Sequence, residues 1–554
     1  MTTLQKQFQI CGIVSIFLEL LCSKSQSADS WHLVLYDQLH EQLLPEGIHP
    51  KETGLLFIET TWKTRQLPYH KQKLALLLSN QRNFALEMKR KGFNVRYEFS
   101  TESYANVLQN LSTQLGSISV TEPAEYGIRT AFDSIGDGVI ETLPHRGWVT
   151  TKAEFIQAVG DKPPWRMDKF YRYIRKNKNI LVDENQKPVG GDWSYDSENR
   201  LPWDGAVELP TLPTFKPNAV TEEVVRMIEQ KFSHHPGVLS IDTLPSTIED
   251  AQALWDWAKS SVMYWFGPYE DAMTTEHTTL FHTTVSSLLN LNRLQASTVV
   301  HEAIALDIPL NSKEGFVRQI IGWREFVRHV HTLTDGFQSE IPEDAAFIRP
   351  GAGWEGDWAH PRSTQNVLEA RHPLPKAFWG EKSGMLCLDS AVEQVVNTGY
   401  THHIPRLMVL ANIGTLLGVN PRELTDWFWA MFTDAYDWVV EPNVLAMGTY
   451  AVGEVMTTKP YVCGTPYIKK MGDYCGDCSL HHKKSCPVSD MYWDFLEVNK
   501  DHFSKNHRMF MPMRSLAKRD ISKIEKSRKV VEYVRKQLDE GLTLHPAELE
   551  KLKS

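Results

Sequence analysis

The sequence predicts an N-terminal α/β domain built on a doubly wound parallel sheet, followed by an all-α C-terminal domain. Between Trp31 and Pro144, short apolar runs alternate with a long amphipathic segment. From about residue 236 to 512, the apolar residues follow helical spacing and many tryptophans accompany them. A length of 554 residues is enough for two or three domains with their own cores. We therefore divide the chain into an N-terminal extension (1–30), an α/β domain (31–150), an interdomain linker (151–235), a helical domain (236–512) and a basic C-terminal helix (513–554).

Four apolar runs predict the strands of the first domain: "WHLVLY", "GLLFIET", "FNVRYEF" and "SISVTE". Between the second and third runs lies "HKQKLALLLSNQRNFALEMKRKG", which has helical spacing, a basic last turn and a terminating glycine. Alternation of strands and helices predicts a parallel sheet with helices on both faces. No G-x-G-x-x-G follows any of these strands, so the usual dinucleotide fingerprint is absent.

Polar side chains end two of the predicted strands. Asp37 and Gln38 directly follow the first strand, and Glu59 ends the second. Ligands of doubly wound sheets bind at the carboxyl ends of the strands. These three residues are therefore candidates for holding a small polar ring, and helix caps or turn residues are the equal alternative.

The first thirty residues contain a short apolar run, "FQICGIVSIFLELLC", which resembles the apolar region of a signal peptide. Glu19 interrupts this run, and it is too short to span a bilayer comfortably. We favour an unstructured N-terminal extension. No other segment is apolar enough to span a membrane, and we expect a cytoplasmic protein.

The net charge of −9 does not indicate nucleic-acid binding, but two local stretches do. Residues 500–536 contain twelve Lys or Arg and four Asp or Glu, and "WRMDKFYRYIRKNK" interleaves basic with aromatic residues. Basic side chains pair with phosphates and aromatic rings stack on bases. A solvated helix face gives the same pattern, so either interpretation remains open at this stage.

Three of the seven cysteines fall in one stretch, "DYCGDCSLHHKKSC", as Cys475, Cys478 and Cys486. Seven cysteines are too few and too unevenly placed for a disulfide framework. Cys-x-x-Cys followed by a third cysteine favours a metal site whose fourth ligand is a Cys or His elsewhere. The residues alone leave zinc and an iron–sulfur cluster as equal alternatives.

Three further stretches resemble the FAD domain of photolyases and cryptochromes: "GWREFVRHVH", "TGYTHHIPRLMVLAN" and "FTDAYDWVVEPNVLAMGTY". The stretches "KFYRYIRK", "KPVGGDWSYDSENR" and "KPYVCGTPYIKKMGDYC" resemble the bacterial branch that carries an iron–sulfur cluster and repairs (6-4) photoproducts. The resemblance runs from about residue 31 to 512. It implies FAD, a 4Fe-4S cluster and a 6,7-dimethyl-8-ribityllumazine antenna in the α/β domain. The implied partner is UV-damaged DNA with a flipped-out lesion, bound by a monomer.

The resemblance also assigns cofactor residues. It makes Cys387, in "SGMLCLDSAVE", the fourth ligand of the cluster beside the C-terminal trio. It assigns Asp434 to the pyrimidine edge of the flavin, with Asn443 as a further contact. The segment "TTLFHTTVSSLLNLNRL" takes the place of the phosphate-contacting segment, although it departs from the common Thr-Ser…Leu-Ser-Pro form. Its donors at a helix start are His282, Thr283, Ser286 and Ser287.

The resemblance assigns the chemistry to two adjacent histidines. His403 matches the general acid that serves the lesion, and His402 is its supporting partner. The residues assigned to the lesion pocket are Tyr461, Met447, Arg324 and Glu325. The electron-transfer tryptophans are Trp379 and Trp427, with Trp429 as the other candidate. Phe428 lies where relatives carry Tyr, so an electron would pass directly from Trp427.

Two functions follow from the resemblance. The first is light-driven repair of (6-4) photoproducts, and the second is a cryptochrome-like blue-light receptor with the same cofactors and no repair. The His402–His403 pair favours repair. A structural zinc protein that binds DNA would leave the flavin motifs and the tryptophans unexplained.

Overall fold

A computed structural model describes residues 15–21, 28–116, 118–135, 138–338 and 366–554. The chain divides into two compact units, each assembled from separate segments. The first unit contains the described residues of Met1–Val149, Leu212–Trp257 and Val285–His301. The second contains those of Thr150–Thr211, Ala258–Thr284 and Glu302–Ser554.

The first unit is built on a five-stranded parallel sheet, which confirms the predicted α/β class. Its strands are β1 (Ser30–Val34), β2 (Thr53–Thr60), β3 (Val95–Ser100), β4 (Ile118–Thr121) and β5 (Ile140–Leu143). Their order is β3-β2-β1-β4-β5, and every neighbouring pair is parallel. The chain therefore reverses direction across the sheet between β1 and β4, as in doubly wound folds.

Helices cover the sheet and supply its core. They are Ile16–Leu21, Lys71–Arg90, Tyr104–Leu115, Tyr126–Asp133, Ala219–Lys231, Ile248–Trp257, Ser286–Asn290 and the first part of Ala296–Ala305. The helix Lys71–Arg90 begins at His70, whose side chain accepts from the Gln72 backbone N–H, and it ends with two basic residues that complement the helix dipole. Val34, Phe57 and Phe84 are buried between this helix and the sheet.

Residues 16–21 form a packed helix, so the prediction of an unstructured extension is wrong for this part. Phe17 is fully buried, and its ring packs edge-on against Tyr97 with the ring centroids 4.7 Å apart. The Ser15 hydroxyl and the Phe17 backbone N–H both donate to the carboxylate of Glu223. One buried aromatic and two anchored donors thus hold the apolar run against the first unit. The cysteines at positions 11 and 22 lie outside the described residues.

The described residues of the second unit are mostly helical and form no β-strand, which confirms the predicted all-α class. Its α-helices are Lys152–Val159, Met167–Asn177, Met263–Phe266, Leu310–Val317, Glu325–Thr334, Leu386–Thr398, Asn412–Leu416, Pro421–Met431, Asp437–Val440, Thr465–Met471, Tyr474–Asp477, Val488–Val498, Lys500–Phe503, Phe510–Ala517, Ile521–Glu540 and Pro546–Lys553. Wider π-helical turns occupy Ala258–Val262, Arg318–Arg324, Pro405–Ala411 and Glu441–Gly448. None of the described helices has the length and apolar content needed to cross a membrane.

The compact units differ from the domain boundaries taken from the sequence. The predicted linker, 151–235, contains three helices, and its last part belongs to the first unit. One of these helices, Met167–Asn177, carries the aromatic and basic stretch that was a candidate for binding nucleic acid. Phe170 and Tyr171 are buried there, and the Arg175 guanidinium donates to the backbone carbonyls of Ile180, Leu181 and Trp193. These side chains are therefore part of the core and offer no stacking surface.

Candidate functional site

Three histidines meet in the second unit. His402 lies immediately before the helical turn that starts at His403, and His282 lies in a tight turn that follows residue 279. The rings of His282 and His402 are stacked with centroids 4.2 Å apart, and His403 meets His282 edge-on at 5.2 Å. One nitrogen from each ring lies within 4.8 Å of the other two. His402 is buried, whereas the side chain of His403 is 39% exposed and offers the cluster a face to solvent.

The cluster is neutral at pH 7. Burial lowers the pKa of His282 and of His402 well below the ordinary value. Burial also lowers the pKa of His403 to about 4, and the positive charges of Arg406 and Arg318 act in the same direction. Each ring therefore keeps a free nitrogen lone pair and accepts a proton only when negative charge arrives nearby.

A carboxyl group next to the cluster can hold such a proton. An Asp271 carboxylate oxygen lies 3.9 Å from Nε2 of His403. Burial, together with the charges of Glu270 and Asp196, raises the pKa of Asp271 to about 7. Arg318 is paired with two other carboxylates, because its guanidinium lies 3.0 Å from Asp196 and 3.3 Å from Glu270. Asp271 is thus about half protonated at neutral pH, beside an imidazole that is not.

An ion pair lies on the same helical segment as the histidines. Arg406 binds Asp434 through two parallel hydrogen bonds of 2.9 and 3.0 Å. Its guanidinium also lies over the rings of Phe432 and Tyr400, 4.2 and 5.1 Å from their centroids. The sequence analysis assigned Asp434 and missed Arg406. The spacing in "HHIPR" carried the signal, because Arg406 follows His402 by four residues, about one helical turn.

Other predicted flavin contacts are dispersed. Asn443 donates to the Val439 backbone carbonyl inside its own helix at 2.9 Å. Thr283 is buried in the second unit with His282. Ser286 and Ser287 start a five-residue helix that belongs to the first unit, so the four predicted phosphate contacts are divided between the two units.

Two of the four π-helical turns carry predicted site residues, and a third carries Arg406. Arg318–Arg324 ends at Arg324, Pro405–Ala411 contains Arg406, and Glu441–Gly448 contains Asn443 and Met447. A π-helical turn widens the backbone and re-aims its side chains, and such turns are frequent at functional sites.

Two of the electron-transfer candidates are adjacent to one another through Phe378. Trp427 is completely buried, and its indole N–H donates to the Phe378 backbone carbonyl at 2.9 Å. Phe378 directly precedes Trp379, which is half-buried. On its other side, the Trp427 ring meets Phe432 edge-on at 5.9 Å, and Arg406 lies over that same phenylalanine. Packed rings therefore run from Phe378, the sequence neighbour of the partly exposed Trp379, through Trp427 and Phe432 to the Arg406–Asp434 pair.

Trp429 lies on the same helix as Trp427 and is also buried. Phe428, between them in sequence, stacks on Phe432 with centroids 5.2 Å apart. Both tryptophans thus remain candidates.

The four predicted ligand cysteines line one small pocket in the second unit. Cys387 comes from the first turn of Leu386–Thr398, and the C-terminal stretch supplies Cys475, Cys478 and Cys486. Burial raises the pKa of Cys387 well above the ordinary value, and the other three thiols raise it further. Cys463 lies outside this pocket lining and is held by the Asn412 side chain, which donates to its backbone carbonyl. Four converging cysteine sulfurs are a donor set that suits a cationic metal centre.

The predicted lesion-pocket residues do not share one role. Glu325 is completely buried and accepts from the backbone N–H and the hydroxyl of Thr150 at 2.9 and 2.7 Å. Arg324 lies 3.3 Å from the same carboxylate. Arg324 and Glu325 therefore have a structural role, because Glu325 ties its helix to Thr150 and Arg324 pairs with the same carboxylate. Tyr461 and Met447 are partly exposed, and Tyr461 lies near the charges of Asp196 and Arg508, which act on the pKa of its phenol in opposite directions.

Two of the predicted antenna residues lie at the reversal point of the sheet. The Gln38 amide donates to the backbone carbonyls of Thr121 and Glu122, which end β4. The Asp37 carbonyl accepts from the Asn292 side chain at 2.7 Å. Gln38 thus links the ends of β1 and β4, where doubly wound sheets bind ligands.

Glu59 has a different environment, because its carboxylate is already occupied. Arg82 binds both of its oxygens at 2.7 and 2.8 Å, and the Tyr97 hydroxyl donates to one of them at 2.8 Å. Glu59 thus serves as a buried ion-pair partner within β2, a structural role other than the helix cap or turn residue considered in the sequence analysis.

Comparison with known proteins first defines the class. The fold is that of photolyases and cryptochromes. It resembles the crystal structure of a bacterial class III photolyase from Agrobacterium tumefaciens, with a TM-score of 0.54 at 13% identity over 93% of this chain and 99% of the other. It resembles a Synechocystis cryptochrome to a similar degree, with a TM-score of 0.53 at 12% identity over 93% and 100% of the two chains.

Sequence comparison then defines the family. The chain is 30% identical over 509 residues to a (6-4) photolyase from Agrobacterium fabrum, which covers 88% of this chain and 95% of that protein. The profile of the deoxyribodipyrimidine photo-lyase-related proteins matches residues 32–242. The chain belongs to this photolyase-related family within the photolyases and cryptochromes.

Proposed function

We propose that this protein is a light-driven DNA repair enzyme that uses FAD to reverse (6-4) pyrimidine–pyrimidone photoproducts. The observation that carries the proposal is the histidine cluster, in which the partly exposed His403 meets the buried His282 edge-on and His402 stacks on the other side of the cluster against His282. A relative named a (6-4) photolyase, at 30% identity across nearly its whole length, supports the same assignment.

The residues of the second unit fit a flavin. Arg406 and Asp434 form a fixed, partly exposed pair, and Phe432 supplies a flat apolar neighbour. Nε2 of the buried His282 has no hydrogen-bond partner among the described residues, so it is available to a bound group. When bound, FAD would supply one electron to the lesion on illumination. Asp434, Asn443, His282 and Thr283 of the second unit would hold it.

His403 would move the proton. Its pKa of about 4 leaves the ring uncharged in the free protein. Bound DNA phosphates bring negative charge, which favours the imidazolium and opposes the effect of burial. Asp271 is the nearby proton source, 3.9 Å from that nitrogen and half protonated near pH 7. His402 would support His403 through His282, whose ring it stacks on and which meets His403 edge-on.

The four-cysteine pocket would hold a 4Fe-4S cluster. A tetrahedral zinc site with Zn–S distances near 2.3 Å places its sulfurs roughly 3.8 Å apart. Of the four cysteine sulfurs, all of which the structure describes, no three lie within 4.8 Å of one another. Several iron atoms between the thiolates require this wider spacing. The donor set and its spacing therefore favour the cluster over zinc.

The end of β1 would hold the lumazine antenna. The Gln38 amide oxygen is buried and has no hydrogen-bond partner among the described residues, although its N–H group is fully used. Asp37 lies next to it at the same edge of the sheet. These side chains suit a polar ring that offers donors at its edge.

The test is the variant His403→Ala, with the exposed His545→Ala as the matched control. Loss of a positioned general acid typically costs about 10²–10⁴-fold in rate. We expect repair of a defined (6-4) oligonucleotide to fall by that factor, while FAD stays bound and photoreducible. Repair at the parental rate would remove His403 as the acid. A parent that photoreduces its flavin but never repairs the lesion would be a blue-light receptor instead.

A further inference from the structure

An exposed apolar tip projects from the second unit at Phe510 and Met511. Their side chains are 62% and 65% exposed, although both residues are large and apolar. The backbone beneath them is fixed. Met509 is buried, and the Asn506 side chain donates to the Thr458 carbonyl at 2.9 Å and to the Glu454 carboxylate at 3.0 Å. The tip thus stands at the start of the helix Phe510–Ala517, behind a turn that Asn506 anchors to Thr458 and Glu454.

Positive charge surrounds the tip. Residues 500–519 contain six Lys or Arg and a single Asp. Lys505, Arg508, Arg514 and Lys518 are exposed, and no ion pair to another described residue holds any of them. An apolar projection inside a basic rim suits a polyanion that also offers flat apolar faces.

Arg508, two residues before the tip, lies within electrostatic range of Tyr461, a predicted lesion-pocket residue. Burial and the charge of Asp196 raise the pKa of Tyr461, and the guanidinium groups of Arg508 and Arg166 oppose that rise. Asp196 also raises the pKa of His403, against the effect of burial. The phenol of Tyr461 is therefore within electrostatic range of both Asp196, which also acts on His403, and Arg508, two residues before the tip.

A second set of contacts fixes this neighbourhood. The Arg166 guanidinium donates to the Glu454 backbone carbonyl at 3.1 Å, and Asn506 donates to the carboxylate of the same residue. Two basic segments, one from each end of the unit's sequence, are thus joined at Glu454. Together they form one positively charged margin next to Tyr461.

We propose that the Phe510–Met511 tip is a wedge that enters the lesion-bearing duplex and occupies the space left by the flipped lesion, while the basic rim holds the flanking phosphates. A base that leaves the stack leaves its partner base unstacked. Proteins that unstack a duplex commonly insert Phe, Met or another apolar side chain into the gap. This inference rests on the proposed function only in requiring that the lesion be flipped out of duplex DNA.

The test compares three DNA probes: a duplex with one (6-4) photoproduct, the undamaged duplex, and a single strand that carries the same photoproduct. Loss of one stacking side chain weakens binding about tenfold or more. We expect the double variant Phe510→Ala, Met511→Ala to lose that factor on the lesion duplex only, because the single strand has no gap to fill. The single variant Phe510→Trp, which keeps a stacking ring, should bind the lesion duplex like the parent. Leu542→Ala, at a 47% exposed leucine, should do the same.

Several outcomes would overturn the wedge: parental binding by the double variant, an equal loss on the single strand, or a parent that does not prefer the lesion duplex to the undamaged one. A double variant that loses self-association but keeps its DNA affinity would make the tip a contact between copies of this chain. Repair under light is measured separately. A parent that binds the lesion duplex tightly and never repairs it removes the repair proposal and leaves the wedge in place.

Discussion

Glu59→Gln separates a structural carboxylate from a ligand-binding one. The substitution keeps the shape of the side chain and removes its negative charge. In the parent, Arg82 binds both oxygens of Glu59 and is almost completely buried. The guanidinium also lies over the ring of Phe17, 5.2 Å from the centroid, so the same contact holds the N-terminal helix. After the substitution, Arg82 keeps only Glu223, at 3.1 Å.

The expected cost follows from this geometry. Removing one partner of a buried ion pair destabilises a protein by about 3–5 kcal/mol, because the other charge stays buried. The remaining Glu223 contact places Glu59→Gln at the low end, about 3 kcal/mol. For a unit of about 200 residues, each kcal/mol shifts the midpoint by about 2–4 °C, so we expect a fall of roughly 6–12 °C.

The control is Glu46→Gln in the same unit. Glu46 pairs with Arg146 at 2.7 Å, the same distance as the Glu59–Arg82 pair, but its side chain is 86% exposed. Exposed pairs contribute about 0–1 kcal/mol. Thermal and urea unfolding measure the stability of both variants, and absorption measures their antenna content. A stable Glu59→Gln protein that has lost its antenna would refute the structural assignment and make Glu59 a ligand contact.

Three further predictions concern the second unit. Trp427→Phe should slow flavin photoreduction yet leave repair intact after chemical reduction. Trp429→Phe should leave both photoreduction and repair at the parental rate; the opposite result exchanges the roles of the two tryptophans. Cys478→Ser should lose most bound iron, and Cys463→Ser should keep it, as iron analysis of anaerobically purified protein will show. The raised pKa of Asp271 means that the folded protein binds an extra proton between about pH 4 and 7, so this carboxyl costs stability as the pH rises through that range, up to about 4 kcal/mol. Asp271→Asn should therefore stabilise the protein more at pH 8 than at pH 5, and a smaller gain at pH 8 would contradict the shift.

The fold was largely predictable because its strands carry strong apolar signals. The first four strands coincide with the predicted apolar runs. The fifth strand, β5, was missed because it has only four residues, none of them buried, and Glu141 and Thr142 interrupt any apolar run. The apolar N-terminal run was misinterpreted for the opposite reason. Its partners Tyr97 and Glu223 are distant in sequence, and no local pattern reports them.

The candidate site was predictable where spacing or the family resemblance carried the assignment. Spacing named the C-terminal cysteine trio, and the resemblance named Cys387 and the histidine pair; the structure brings the four cysteines together. Arg406 was missed although its spacing from His402 carried a signal, whereas Asp271 could not be named, because its importance comes from its approach to His403 across the fold. Glu325 was assigned to a pocket although a threonine 175 positions earlier in the chain occupies its carboxylate.

The segmented first unit has a consequence for how the chain folds during synthesis. Its sheet is complete at residue 143, but it also requires Ala219–Lys231, Ile248–Trp257 and the segment that ends at His301. About 150 residues separate Val149 from His301, and a ribosome adds roughly 5–20 residues per second. The nascent sheet therefore waits roughly 10–30 s for its last helices. During that interval the surfaces that these helices will cover are exposed. Chaperone binding to arrested nascent chains should therefore be strongest for chains halted between residues 150 and 300.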